Sequence, residues 1–261
     1  MYKESFFYMT TGSKYFVGNW KMFGIPSSFK ILDRINQYFQ KDTKNKRKYK
    51  IIMAPPFTLL QNFVTRYKNK NIFISAQNCY HKDSFGAYTG NISPFMLKKI
   101  GINYVIIGHS ENRASGETDA MLKKKVFFAL KNNLNIIFCI GENKKEKRNK
   151  KTFSVLKKQL TSVLEIKYNF KNIIIAYEPI WSIGSGKVPS SYELLKISIN
   201  LKKFIKSKFK LNKMPKFLYG GSVNSQIISD FKSIKQLDGF LIGGASKSSK
   251  NFIDIIKNFY K

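Results

Sequence analysis

Short apolar, β-branched runs recur along this chain, each followed by a stretch whose apolar residues repeat with helical spacing. The runs are 15–18, 50–54, Ile72–Ala76, Tyr104–Ile107, Asn135–Ile140, Ile173–Tyr177, Lys216–Tyr219 and Gly239–Ile242. Between them, sets such as Phe29, Ile31, Leu32, Ile35, Tyr38 and Phe39, or Leu194, Leu195, Ile197, Leu201, Phe204 and Ile205, fall on one face of a helix. The opposite faces carry Lys, Asn and Gln. Strands that alternate with helices pair in parallel through right-handed crossovers. Eight such units in about 250 residues predict an α/β protein built as a single closed (β/α)8 barrel. An open doubly wound sheet is the competing architecture, but no Gly-x-Gly-x-x-Gly turn follows the first strand. The lysine-rich stretch 144–151 is too short to separate domains. The reading is one barrel over 15–261, preceded by an extension over 1–14.

Composition changes this picture little. No apolar run reaches the ~18–20 residues of a membrane span, and the start, Met1-Tyr2-Lys3-Glu4-Ser5, lacks the ordered regions of a secretory signal. Cys79 and Cys139 each lie in or beside an apolar run, which predicts two buried thiols in a reducing compartment. The charge is unusual: 47 basic and 15 acidic residues leave +32. Only Arg34, Arg47, Arg66, Arg113 and Arg148 are arginine, however, and arginine is favoured for bidentate phosphate and base contacts. The lysines are spread along the whole chain among Asn, Ile, Phe and Tyr. That distribution reads as solvated helix faces, with no specific nucleic-acid or membrane partner.

In a barrel of this kind the chemistry gathers at the carboxyl ends of the strands. The first run ends Gly18-Asn19-Trp20-Lys21-Met22, where an amide and an ammonium two residues apart can face one polar ligand. The third leads into a long loop containing Gly86-Ala87-Tyr88-Thr89-Gly90, suited either to a ligand or to docking on another subunit. The fourth ends Gly108-His109-Ser110-Glu111-Asn112-Arg113; Glu111 could act as an acid or pair with Lys21. After the sixth, Glu178 and Pro179 open the stretch Ile180-Trp181-Ser182-Ile183-Gly184-Ser185-Gly186-Lys187. A strand-end carboxylate before a glycine-bearing loop fits a general base under a mobile lid, or simply a strand-end acid with a connector. Glycine pairs follow the seventh and eighth strands, at Tyr219-Gly220-Gly221-Ser222-Val223 and Ile242-Gly243-Gly244-Ala245-Ser246. Backbone N–H groups exposed there beside a helix start predict a phosphate cradle.

These motifs, in this order and spacing, resemble those of the triosephosphate isomerases, and the similarity runs from about Tyr15 to the carboxyl end. The resemblance implies the TIM-barrel fold and the interconversion of dihydroxyacetone phosphate and D-glyceraldehyde 3-phosphate, a step of glycolysis and gluconeogenesis, with no metal or organic cofactor. It implies that Glu178 is the base and His109 a neutral electrophile, a pairing already established for the family. Asn19 and Lys21 would stabilise the oxyanion, with Glu111 as partner of the lysine. Gly184, Ser222, Gly243 and Gly244 would hold the phosphate. Ile183 and Leu241 would close over Glu178, and Ser110 would hold Glu178 while the lid is open.

Four positions depart from the family's pattern. Asn91 and Asn112 stand where the family has a glutamate and an arginine that pair across a dimer interface, and Phe23 replaces an asparagine near the same contact. A homodimer is expected, with Thr89 reaching the partner's pocket and the interface weakened at Asn91 and Asn112. Pro189 stands where the family offers a backbone N–H to the tyrosine equivalent to Tyr219. Proline has none, so lid closure is expected to lose roughly one neutral hydrogen bond, ~0.5–1.5 kcal/mol. The cytoplasm is the default compartment, with a plastid-type organelle second. Two rival readings are a basic barrel that binds nucleic acid or membrane, and another phosphate-binding barrel enzyme.

Overall fold

Parallel strands buried on both faces need apolar residues at successive positions, and the eight runs supply them. In the computed structural model the described residues are 12–68 and 72–261; the expected N-terminal extension lies outside them up to residue 11. The chain runs β1 (Lys14–Asn19), α1 (Phe29–Lys41), β2 (Tyr49–Ala54), α2 (Leu60–Tyr67), β3 (Ile72–Ala76), α3 (Pro94–Lys99), β4 (Tyr104–Ile107), α4 (Ser110–Ala114) and α5 (Asp119–Lys131). It continues β5 (Asn135–Ile140), α6 (Lys144–Arg148), α7 (Thr152–Val163), β6 (Ile173–Tyr177), α8 (Ser191–Lys208), β7 (Lys216–Tyr219), α9 (Ile228–Phe231), β8 (Gly239–Ile242) and α10 (Ser249–Tyr260). All eight strands pair in parallel in sequence order, and β8 pairs back on β1, closing the barrel.

The first two strands begin earlier than their apolar runs because Lys14 and Tyr49 pair with each other and extend both ladders together. Along each strand, alternate side chains go to two separate cores. Phe16, Ile51 and Met53 pack outward against the helices, whereas Val17, Ile52 and Ala54 point into the barrel with Ile106, Ile137, Cys139, Ala176, Leu218 and Leu241. The inner set fills the barrel, leaving room for a ligand only at its mouth. Both cysteines are free and buried, Cys139 inside the barrel and Cys79 in the outer core at the root of the long loop after β3. Among the described residues no helix is long and apolar enough to cross a membrane.

At the end opposite the mouth, Asp238 is buried and accepts from Lys202 Nζ at 2.8 Å, Lys216 Nζ at 2.9 Å and the Phe217 N–H at 2.9 Å. Lys202 is equally buried, and loss of hydration pulls its ammonium below the ordinary lysine range. Removing one partner of such a pair strands the other charge. Asp238→Ala is therefore expected to cost about 3–5 kcal/mol of folding stability in urea titrations. Adding Lys202→Met should recover most of that loss, since no buried ammonium then lacks a counter-charge. A double variant no more stable than Asp238→Ala would overturn this account.

Candidate active site

A cavity of about 510 Å³ opens at the carboxyl ends of the strands. Asn19, Lys21, His109 and Glu178 line it, together with Ile183, Gly184, Ser222, Leu241, Gly243 and Gly244. Glu178 is the first residue past β6; its N–H donates to Ile140 O at 2.7 Å, continuing the ladder to β5 by one residue. Its carboxyl group is almost fully buried, with Oε1 3.4 Å from Nε2 of His109 and Oε2 without a hydrogen-bond partner among the described residues. Two glycines make room for it. A Cβ on Gly220 would stand 2.6 Å from Glu178 Cγ, and one on Gly141 would stand 1.8 Å from Glu178 O.

His109 caps the first turn of α4, and its Nδ1 accepts the Glu111 N–H at 3.3 Å. A ring nitrogen that accepts carries no proton, so the neutral ring keeps its N–H on Nε2, the nitrogen facing Glu178. Arg113 braces the turn beneath it, donating from Nε to Gly108 O at 2.8 Å and from Nη2 to Cys139 O at 3.3 Å.

Lys21 adopts φ +55°, a conformation that costs a side-chain-bearing residue about 1–3 kcal/mol unless its surroundings hold it. They do so here. The Lys21 N–H donates to Asn19 Oδ1 at 3.0 Å, and Gln77 Nε2 donates both to Lys21 O at 2.9 Å and to Ala54 O at 2.8 Å. Its ammonium meets Glu111 Oε1 at 2.6 Å.

The loop after Glu178 is folded onto the turn after β7. Gly186 N–H donates to Ser222 Oγ at 3.2 Å, and that hydroxyl donates to Ser182 O at 2.6 Å. At the loop's root Trp181 Nε1 donates to Glu142 Oε1 at 2.9 Å, while Lys147 Nζ lies 3.4 Å from the Trp181 ring centroid. Burial raises the Glu142 carboxyl above its usual range, partly offset by the hydrogen bonds from Trp181 and Tyr177.

A sequence profile of the family described as triosephosphate isomerase matches residues 14–259. The chain belongs to the triosephosphate isomerase family. It is an enzyme of the isomerase class. It is 43% identical over 249 residues to the triosephosphate isomerase of Buchnera aphidicola (subsp. Cinara cedri), with 92% of this chain and 96% of that one covered. It is 40% identical over 244 residues to that of Alkaliphilus oremlandii, with the same coverage. The crystal structure of triosephosphate isomerase from Bartonella henselae superposes with a TM-score of 0.86 at 34% identity, covering 95% of this chain and 99% of that one.

Within this triosephosphate isomerase fold, the other residues singled out in the sequence do not all meet the cavity. Glu111 stands at its rim as the partner of Lys21, the second of the two readings left open for it. Ser110 borders a separate small cleft behind Glu178 and makes no hydrogen bond to it. Thr89 lies exposed on the loop after β3, whose base is closed by the Tyr80 N–H donating to Ile92 O at 2.8 Å. Asn91 and Asn112 line one cleft beside that loop.

Tyr219 lies buried behind the cavity. Its hydroxyl does not go without a partner: it sits 3.0 Å from Ser182 Oγ. Sequence reasoning assigned no role to Ser182, Gln77, Arg113 or Gly141; Gln77 and Gly141 directly follow strands, Ser182 lies in the loop after β6 and Arg113 in α4. The polar side chains among them could have been flagged as such, but nothing local names their partners.

Proposed function

We propose that this cavity interconverts dihydroxyacetone phosphate and D-glyceraldehyde 3-phosphate by moving a proton between adjacent carbons. The observation that carries this reading is the carboxylate of Glu178 facing a histidine whose Nδ1 is engaged as an acceptor. Glu178 takes a proton from one carbon and returns it to the next, and the Nε2–H of His109 polarises the carbonyl and serves the two oxygens in turn. Lys21 and Asn19 stabilise the developing enediolate. Gly184, Ser222, Gly243 and Gly244 hold the phosphate, and the loop from Ile180 to Val188 acts as the lid. Ile183 and Leu241 line the cavity beside Glu178 and keep water from it.

The working form we propose is a homodimer. Loops following three neighbouring strands expose Met22, Ile25, Phe57, Phe85 and Tyr88, an apolar content that a second copy would cover. The test is turnover of glyceraldehyde 3-phosphate in deuterated water, with light scattering on the same sample. Rapid turnover with deuterium on C1 of the recovered dihydroxyacetone phosphate, from a particle of two chains, is the expected result. No turnover, or turnover unchanged in Glu178→Gln, would remove the proton-transfer reading; an active monomer would remove the dimer.

A further inference from the structure

Leu122, Val126 and Ala129 take the inner face of α5, which leaves Lys123, Lys124 and Phe127 on the outer one. Phe127 is the exception among them, an aromatic ring 44% exposed beside two lysines. It does not stand alone. Phe128 meets it edge-on at 5.2 Å between ring centroids, and both rings, with Tyr168 from the segment before β6, line a groove of about 560 Å³. Apolar side chains gathered at a surface in this way mark a binding site, whereas scattered single ones do not. The groove shares no lining residue with the catalytic cavity.

The rim of the groove is cationic. Lys82, Lys123 and Lys124 line it with a single acid, Glu165, which already meets Lys123 at 2.9 Å and Lys167 at 2.8 Å. Lys124 has no acidic partner among the described residues. His81 stands beside these lysines, with Nδ1 buried and unpartnered among the described residues. Burial depresses its proton affinity, the Lys125, Lys124 and Lys82 ammoniums depress it further, and Glu117 opposes them. A positive field without a matching anion therefore lies over an apolar floor.

Size and chemistry together select the occupant. Nine residues line the groove, far fewer than the ~20–30 a side of a stable protein interface. Its volume falls instead in the ~300–1,000 Å³ range of small-molecule sites. A triose phosphate has the charge but no apolar body to cover the rings. We propose that this groove binds a free medium-chain fatty carboxylate, the chain lying over Phe127, Phe128 and Tyr168 and the carboxylate between Lys124 and Lys82. Each methylene fully buried there adds about fourfold in affinity, so chain length is a direct measure of the apolar contact.

The experiment titrates the full chain with dodecanoate below its micelle-forming concentration, by calorimetry and by NMR of the histidine rings. Octanoate, dodecyltrimethylammonium and vesicles of phosphatidylcholine with phosphatidylglycerol serve as the comparison probes. The chain has only two histidines, so His81 reports the groove and His109 the catalytic cavity. One dodecanoate per chain is expected, bound at least tenfold more tightly than octanoate. The His81 signals should move and its titration shift to higher pH, because a carboxylate offsets the neighbouring lysines; those of His109 should stay. Lys124→Glu and Phe127→Asp, both on the outer face of α5, should each weaken dodecanoate at least tenfold and leave turnover of glyceraldehyde 3-phosphate unchanged. Lys124→Glu carries the test if Phe127→Asp folds poorly. Absence of saturable binding, equal affinity for the cationic detergent, an affinity unmoved by both variants, or shifts confined to His109 would each overturn the site. Binding to the vesicles alone would also overturn it, by making a lipid surface the occupant.

Discussion

Glu178→Gln is expected to lower kcat by about 10²–10⁴-fold while leaving KM within a few-fold of the parent. The amide has nearly the shape of the carboxylate, so the substrate still meets Lys21, the glycine turns and Ser222. What it loses is the capacity to accept and return a proton. The same substitution should not destabilise the fold. Glu178 Oε2 is buried without a hydrogen-bond partner among the described residues, and a buried charge with an unmatched oxygen is costly. A melting temperature equal to or above the parent's, together with the lost turnover, would show the site holding this carboxylate at a cost to stability. Glu178→Gln turning over at more than a tenth of the parent rate would rule out Glu178 as the base.

Gly141→Ala is the second large expected effect, and it acts without touching substrate. The added methyl carbon would stand 1.8 Å from the carbonyl oxygen of Glu178, and 2.6 Å from its carbonyl carbon. Contact distances between such atoms are ~3.5 Å, so the two backbones must part by more than about 1 Å. Gly141 is not free to retreat. Its N–H donates to Gln159 Oε1 at 2.9 Å and its carbonyl accepts from Gln159 Nε2 at 3.0 Å, pinning it on both sides. Any adjustment therefore falls on the backbone of Glu178 and shifts its carboxylate relative to His109. A displacement of that size at a reacting group costs roughly 10²-fold in rate, and the crowding costs about 1–3 kcal/mol of stability. Steady-state kinetics and a urea titration on one preparation measure both. A stable variant with parental kcat would show that the strand end absorbs the methyl group.

The barrel was legible because its strands are covered on both faces. Ile173–Tyr177 is buried at every position, so it reads as an unbroken apolar run, and the same is true of Tyr104–Ile107 and Gly239–Ile242. Where a strand opens on a lysine, as at Lys14, hydrophobicity gives no sign, and only the pairing with Tyr49 shows that the ladder begins there. The site was legible for a related reason. In this architecture polar residues at carboxyl strand ends converge, so Asn19, His109 and Glu178 could be placed together before any coordinates. Contacts between loops were not legible. Ser182 and Tyr219 are 37 residues apart and Gln77 and Lys21 are 56 apart, and nothing in either local pattern encodes the partner. The reading of Pro189 met the same limit: it removed one backbone donor but could not see that the Tyr219 hydroxyl lies beside Ser182 Oγ. Gly220 was likewise read only as part of a phosphate turn, whereas the structure also gives it the task of clearing space for Glu178.

The two cysteines turn this protein into its own clock. Burial pushes the Cys79 thiol up to about 12 and Cys139 well upward too, so neither offers appreciable thiolate near neutral pH. An alkylating reagent therefore reacts only with molecules that have opened. Cys139, shut inside the strands, should record rupture of the whole barrel, and Cys79, at the root of the loop after β3, should record that loop coming loose. The difference between the two labelling rates is then a direct measure of how independently the loop moves from the barrel that carries it.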